Sequence, residues 1–245
     1  FFLDFNKFYD INFFEFGLLN FPSVNMGNVN TKNLFNIDEM INLSFYFAMK
    51  KKYNYVADLG ANIGLHTLIL SKCFDYVDSF EPLKYHYDFL KKVVEVNKLN
   101  NVNIFNKAVT INDDPFVDFV HVKDNSTGSH ILDYKESYGD RDFIRVDATN
   151  ILNIIHKYDF VKMDIEGYEI EVLSSLSSSV YEKTDFLIEV ANEDIALQLM
   201  DLSKKLNFSI YPQKNEWKKA KNYLEIPFSC HEGNVILSSR NEFSW

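Results

Sequence analysis

Apolar and polar positions along the chain fall into two alternating rhythms. Residues 37–52, IDEMINLSFYFAMKKK, have helical spacing, with acids at the start and three lysines at the end, the charge order a helix dipole favours. The short apolar run 55–60, YVADLG, reads as a buried strand, and ANIGLHTLILSKCF (61–74) returns to helical spacing. The alternation then repeats. A strand is expected at 76–82 (YVDSFEP), a helix over 83–100 with Pro82 opening its first turn, and a strand at 102–109 (VNIFNKAV). Residues 110–149 are less regular, with an extra strand at 117–122 and a polar loop at 124–131. Beyond them the pattern predicts a helix at 151–158, a strand at 159–164, a segment at 165–176 leading into a helix, a strand at 185–190 and a helix over 194–206. Strands at 208–212 and 234–239 close the chain, with only a polar connection between them.

Strands alternating with helices indicate βαβ units and a parallel sheet covered on both faces. Two final strands without an intervening helix suit an antiparallel last strand. The expectation is a doubly wound, Rossmann-like α/β domain over 37–245, with residues 1–36 as an N-terminal extension packed on it.

Composition narrows the partners. A formal charge of −10 and a pI near 5.1, with 35 acids against 25 bases, argue against a surface that reads phosphates, so no nucleic-acid partner is expected. Cys73 and Cys230 are too few for a disulfide framework, and a reducing, cytoplasmic setting is the default. No apolar run is long enough to span a bilayer. Asp4, Lys7, Asp10 and Glu15 interrupt the Phe-rich start, so neither a signal peptide nor an anchor is expected there. Oligomeric state is not legible.

The chemistry gathers at the strand ends. Asp58-Leu59-Gly60-Ala61-Asn62-Ile63-Gly64 joins the first core strand to its helix, and such a turn needs Gly where φ is positive or a ligand nears the backbone. Asp58 is placed to orient the loop or to accept from an ammonium group. Glu81 ends the second strand, where a carboxylate can accept both ribose hydroxyls of a nucleoside. Dinucleotide sites use G-x-G-x-x-G to seat a pyrophosphate on the helix N-terminus. Here the spacing is G-x-x-x-G, Asn62 stands where the middle Gly would be, and the loop has no basic residue. A sulfonium nucleoside, which has no phosphate, needs neither feature.

Lys162-Met163-Asp164-Ile165-Glu166-Gly167-Tyr168-Glu169 straddles a later strand end, and Glu189 ends the next strand. Crowded carboxylates raise each other's pKa, which suits a general base, or they gather a hard cation, so a divalent metal is left open. Asp164 and Glu166 are the candidate bases, with Lys162 or His231 as electrostatic support. Glu169 reads as helix-dipole complementarity, and His66 as packing. If the last strand runs antiparallel, His231 starts it beside the cleft. The connection 213–233 then crosses the cleft face, where Trp217 and Tyr223, together with Glu189, are candidate contacts for the substrate.

DLGANIG (58–64), FEP (80–82), KMDIEGYE (162–169) and Glu-Gly-Asn (232–234) stand in the order that the FkbM-type methyltransferases show, and the chain resembles that family over residues 37–239. The K-x-D-x-E-G-x-E block is its most specific part, and Asn62 in the glycine loop is usual in the family. The resemblance implies a class I methyltransferase fold and S-adenosylmethionine as methyl donor. It also implies O-methylation of a hydroxyl on a glycan, a sugar or a sugar- or polyketide-derived small molecule. By position it maps Asp58, Gly60, Asn62, Gly64 and Glu81 to the cofactor, the backbone at Ala108 to the adenine, and Asp164 and Glu166 to the reaction centre. Residues 1–36 match nothing in the family. A nicotinamide-dependent oxidoreductase and a non-catalytic binding module on the same fold are the alternatives.

Overall fold

The apolar runs become the strands of one seven-stranded sheet in a computed structural model that describes residues 7–136 and 139–240. The chain opens on an antiparallel hairpin, β1 (Phe8–Asn12) and β2 (Leu18–Pro22), followed by α1 (Ile37–Ala48). β3 (Tyr55–Leu59), α2 (Leu65–Cys73), β4 (Tyr76–Phe80), α3 (Lys84–Val96) and β5 (Val102–Phe105) alternate. A second sheet comes from β6 (Ala108–Thr110), β7 (Phe116–Val122), β8 (His130–Ile131) and β9 (Arg141–Asn150), in the order β6-β9-β7-β8. The chain then returns through β10 (Phe160–Met163), α4 (Glu169–Ser175), α5 (Ser178–Tyr181), β11 (Asp185–Glu189), α6 (Glu193–Leu206), β12 (Ser209–Pro212) and β13 (Asn234–Ser238).

The main sheet has the order β12-β13-β11-β10-β3-β4-β5. Its pairs from β5 to β11 are parallel, and β13 runs antiparallel to both β11 and β12, as its sequence position led us to expect. Successive strand residues face opposite cores. Ala57, Leu59, Val161, Met163, Phe186 and Ile188 pack beneath α4 and α6, while Val56, Phe160, Leu187 and Ile236 pack with α1, α2 and α3. The chain runs outward from β3 to β5 and later returns beside β3 through β10. The switch point therefore lies between β3 and β10, where open α/β sheets place their ligands.

Several elements differ from the pattern. The expected strand at 102–109 divides, because Asn106 donates from Nδ2 to the carbonyls of Glu81 (2.8 Å) and Pro82 (2.9 Å) and turns the chain into the second sheet. Residues 151–158 form two 3-10 turns rather than a helix, with Ile151 and Ile155 supplying the i,i+4 burial that imitates one. The polar loop at 124–131 is buried at Ser126, Ser129 and His130 and ends in β8. Pro82 precedes α3, whose N-cap is Leu83.

Residues 7–36 lie against α3 and its neighbours. Leu19, Phe21, Val24 and Met26 enter the α1–α2–α3 core, and Asn20 and Asn97 exchange two hydrogen bonds of 2.9 and 2.7 Å. Residues 1–6, including Asp4, and the Cys230 side chain lie outside the described part. Among the described residues no helix is long and apolar enough to cross a membrane.

Candidate functional site

Loop 60–64 is tied to the protein at every backbone N–H. Gly60 and Ala61 both donate to the Phe80 carbonyl at 3.0 Å, and Gly64 donates to that of Ala61 at 2.9 Å. Asn62 donates to Glu81 Oε2 at 2.8 Å, and Ile63 donates to the Asn62 side chain at 2.8 Å. Gly60 has φ 77°, and a Cβ there would lie 1.8 Å from the Asp164 carbonyl, so no side chain fits. Asn62, at φ 50°, is a residue type that tolerates the left-handed region.

Above this loop a cavity of about 200 Å³ is walled by Gly60, Asn62, Phe80, Glu81 and Ala108 and reaches Asp164, Glu166 and Glu189. Glu81 uses each oxygen once, Oε2 for Asn62 and Oε1 for the Leu83 N–H at 2.9 Å, which leaves lone pairs on both. Sequence reasoning missed His86, whose Nδ1 lies 3.7 Å from Glu81 and whose Nε2 lies 2.8 Å from Ser126 Oγ. Ser126 joins the wall only because the second sheet folds over the first, whereas His86 stands on the first turn of α3, just beyond Glu81.

Asp58 is not in this wall. It is fully buried behind the loop, where it accepts from Thr67 Oγ1 at 2.7 Å and faces Lys162 Nζ at 3.4 Å. Lys162 is its register partner on β10, so both side chains leave the same face of the sheet. Lys162 also donates to the Gly60 carbonyl at 3.1 Å and lies 3.8 Å from Asp164. Burial opposes its charge, but Asp58, Asp164 and Glu39 outweigh that and raise its pKa above the usual lysine value. Lys162 thus fixes the loop and an acid at once.

The acids converge as the strand ends suggested. Glu166, at φ 56°, pairs with Lys135, a partner the sequence did not indicate. Burial, then the charge of Asp164, pushes Glu166 up to about 7. Glu189 reaches about 8 through burial and the charges of Asp164, Glu166 and Glu169. Glu169 also rises to about 7, but its two oxygens accept from Ile165 (2.8 Å) and Gly167 (2.9 Å). Its work is to shape the β10–α4 turn. Glu166 and Glu189 also border a second, wider cavity beside α4 and α6. Among the described residues, no group of three His, Cys, Asp or Glu side chains could hold a metal ion.

His231 lies in a 3-10 turn before β13 and lines a third cavity, with Asp164, Glu189 and Asn234, rather than the first. Trp217 and Tyr223 do not reach the cleft. Trp217 is 7% exposed and stacks on Phe45 of α1 at 5.8 Å, which fills the core instead of a substrate site. Tyr223 stacks on Phe228, and Lys214 and Lys218 pair with Glu232 and Glu216. The connection 213–233 is therefore held along β12 and β13 by its own contacts, and its two aromatic residues do not face the cleft as expected.

The family model of the methyltransferase FkbM domain matches residues 58–211, more than half of the chain. No curated protein matches it in sequence. Among solved structures, methyltransferase FkbM from Methylobacillus flagellatus KT is similar at 16% identity and TM-score 0.45, over 75% of this chain and 43% of that one. Precorrin-6y C5,15-methyltransferase from Geobacter metallireducens GS-15 is similar at 9% identity and TM-score 0.47, over 87% and 96%. The chain thus spans less than half the length of the solved FkbM protein. With the family model covering both the glycine loop and the acidic strand ends on a class I sheet, the chain belongs to the FkbM family of S-adenosylmethionine-dependent methyltransferases.

Proposed function

We propose that this chain transfers a methyl group from S-adenosylmethionine to a hydroxyl of a sugar, or of a small molecule derived from sugars or polyketides. The observation that carries the cofactor reading is the loop 60–64, whose five backbone N–H groups are all engaged inside the protein above a wall containing Glu81. A pyrophosphate is held by such groups when they are free, so a nicotinamide dinucleotide finds no anchor here. A nucleoside without phosphates needs acceptors for its ribose, and Glu81 retains them. The acids crowded at the far end of the same cavity favour an enzyme over a binding module.

S-adenosylmethionine, when bound, supplies a methyl carbon already activated by the adjoining sulfonium. Glu81 accepts from the ribose hydroxyls, and Phe80 and the backbone at Ala108 border the base. Asp164 or Glu166 would take the proton of the attacking hydroxyl as the C–O bond forms and the methyl–sulfur bond breaks, S-adenosylhomocysteine being the leaving group. Glu166, pushed up to about 7, is matched to that transfer near neutral pH. Lys162 holds Gly60 and Asp164 in register, so that positioning lowers much of the barrier.

A thermal-shift comparison tests the reading. S-adenosylhomocysteine at about 100 times its Kd should stabilise the fold by about 2.7 kcal/mol, and NAD should leave the melting temperature unchanged. Stabilisation by NAD alone would overturn it.

A further inference from the structure

The second cavity, of about 720 Å³, lies between the segment that follows β8 and the first turns of α4 and α6. It meets the first cavity at Glu166 and Glu189, so both open onto the same acids. Gly167 makes their approach possible. At φ 104°, a Cβ there would lie 3.1 Å from the Tyr134 carbonyl and 3.4 Å from Lys135 Cβ, so a bare backbone lets residues 134–135 settle on the β10–α4 turn without strain. Lys135 there pairs with Glu166, and Tyr134 meets Tyr168 edge to face with ring centres 4.4 Å apart. The Tyr134 ring is still 42% exposed and borders the cavity. A ring braced in this way offers a face on which a flat apolar surface can stack. The rest of the wall is polar and acidic. Glu136, Glu171 and Asp194 join Glu166, Glu169 and Glu189, and among the described residues the only cation in this wall is Lys135, which is paired. Asn192 and Gln198 add amides. Asn192 Oδ1 accepts from the Ile195 N–H at 3.0 Å, which leaves its Nδ2 to donate.

We propose that this cavity binds the methyl acceptor as a hydroxyl-rich ring without phosphate or carboxylate, stacked on Tyr134 with one hydroxyl at Glu166. Each hydroxyl both donates and accepts, so carboxylates and amides serve it alike. A phosphate or carboxylate on the ring meets like charge in this wall and competes with Glu166 for Lys135. The inference rests on the methyltransferase reading and adds to it the place and the charge of the acceptor.

Saturation-transfer NMR on the whole chain, saturated with S-adenosylhomocysteine, tests this. The neutral probes are the methyl glycosides of D-glucose, D-galactose and D-mannose. Their anionic counterparts are D-glucuronate, D-galacturonate and D-mannose 6-phosphate. At least one neutral glycoside should bind, and its anionic counterpart should bind about tenfold more weakly or worse. For that glycoside Tyr134→Ala should lose about tenfold in affinity, the weight of a stacked ring face, while Tyr134→Phe should retain it. Asp194→Lys should narrow the preference against the anion. Binding of no neutral glycoside, equal or tighter binding of the anions, an unchanged preference in Asp194→Lys, or wild-type affinity in Tyr134→Ala overturns the proposal. Should a variant fail to fold, the neutral and anionic pairs decide on wild type alone. Calorimetry with S-adenosylhomocysteine separates the two readings. If wild type binds the nucleoside while the sugar probes fail, the acceptor site falls and the methyltransferase reading stands. If wild type does not bind the nucleoside, both fall.

Discussion

Glu81 is the side chain on which the cofactor reading turns, because it both holds loop 60–64 and faces the cavity. Glu81→Ala should weaken S-adenosylhomocysteine by about 1.5–3 kcal/mol, the range for hydrogen bonds to a charged group, and calorimetry giving an unchanged affinity would remove it from the ribose site. The acids make a different prediction. Asp164→Asn and Glu166→Gln keep their shapes, so cofactor affinity should survive while turnover collapses; full activity in both variants would remove the pair from the chemistry. Their crowding also has a sign in stability. Glu189 has its folded pKa raised to about 8 by burial and by its acidic neighbours, above the ordinary 4.5. Between those values the folded state binds more protons than the unfolded one, so stability falls as pH rises through this window. Glu189→Gln removes that loss. It should stabilise the protein at pH 8 by roughly 1–2 kcal/mol and far less at pH 5, where wild-type Glu189 is already protonated. Equal melting shifts at the two pH values would contradict the assigned environment.

At the scale of elements, the site depends on how closely the β3–α2 turn approaches the β10–α4 turn. Gly60→Ala puts a methyl 1.8 Å from the Asp164 carbonyl at φ 77°, a contact between two backbones that no rotamer relieves. It should cost roughly 2–4 kcal/mol of stability and displace Asp164, so both melting temperature and turnover fall. A variant with wild-type stability and activity would show that the approach is not needed. This turn was legible in the chain because its demands are local: a strand of buried residues, a Gly that must adopt positive φ, then a helix. Glu81 and the Asp164–Glu166 pair were legible for the same reason, since each follows a strand whose apolar run is plain. The second sheet was not. β9 carries Arg141, Asp142, Arg145 and Asp147 among few apolar residues, and its burial is confined to alternate positions near its end, so its pattern is weak. Ser126, Ser129 and His130 look like loop residues, and only the tertiary fold buries them. Trp217 misled for the converse reason. An aromatic residue in a polar connection looks exposed until the fold places Phe45 against it. Lys135 reaches the site from the segment that follows β8, so its position depends on that second sheet.

The whole molecule joins the hairpin at its start to the cavity at its centre. Phe21 and Met26 share one apolar core with Leu43 of α1 and Phe89 of α3. Beyond them, the turn at Gly27 bridges Asn125, and Ser126 donates its N–H to the Met26 carbonyl at 3.0 Å. Ser126 in turn meets His86 in the wall around Glu81. Residues 7–36 therefore brace one side of this cavity, and they should unfold with the main sheet rather than before it. Phe21→Ala tests this, since the ring is 2% exposed and its removal should cost about 3–5 kcal/mol. In scanning calorimetry the variant should show one transition at lower temperature, and S-adenosylhomocysteine should raise that same transition. A small early transition, separate from one that the ligand still shifts as in wild type, would mean that the hairpin melts alone and that the cavity stands without its brace.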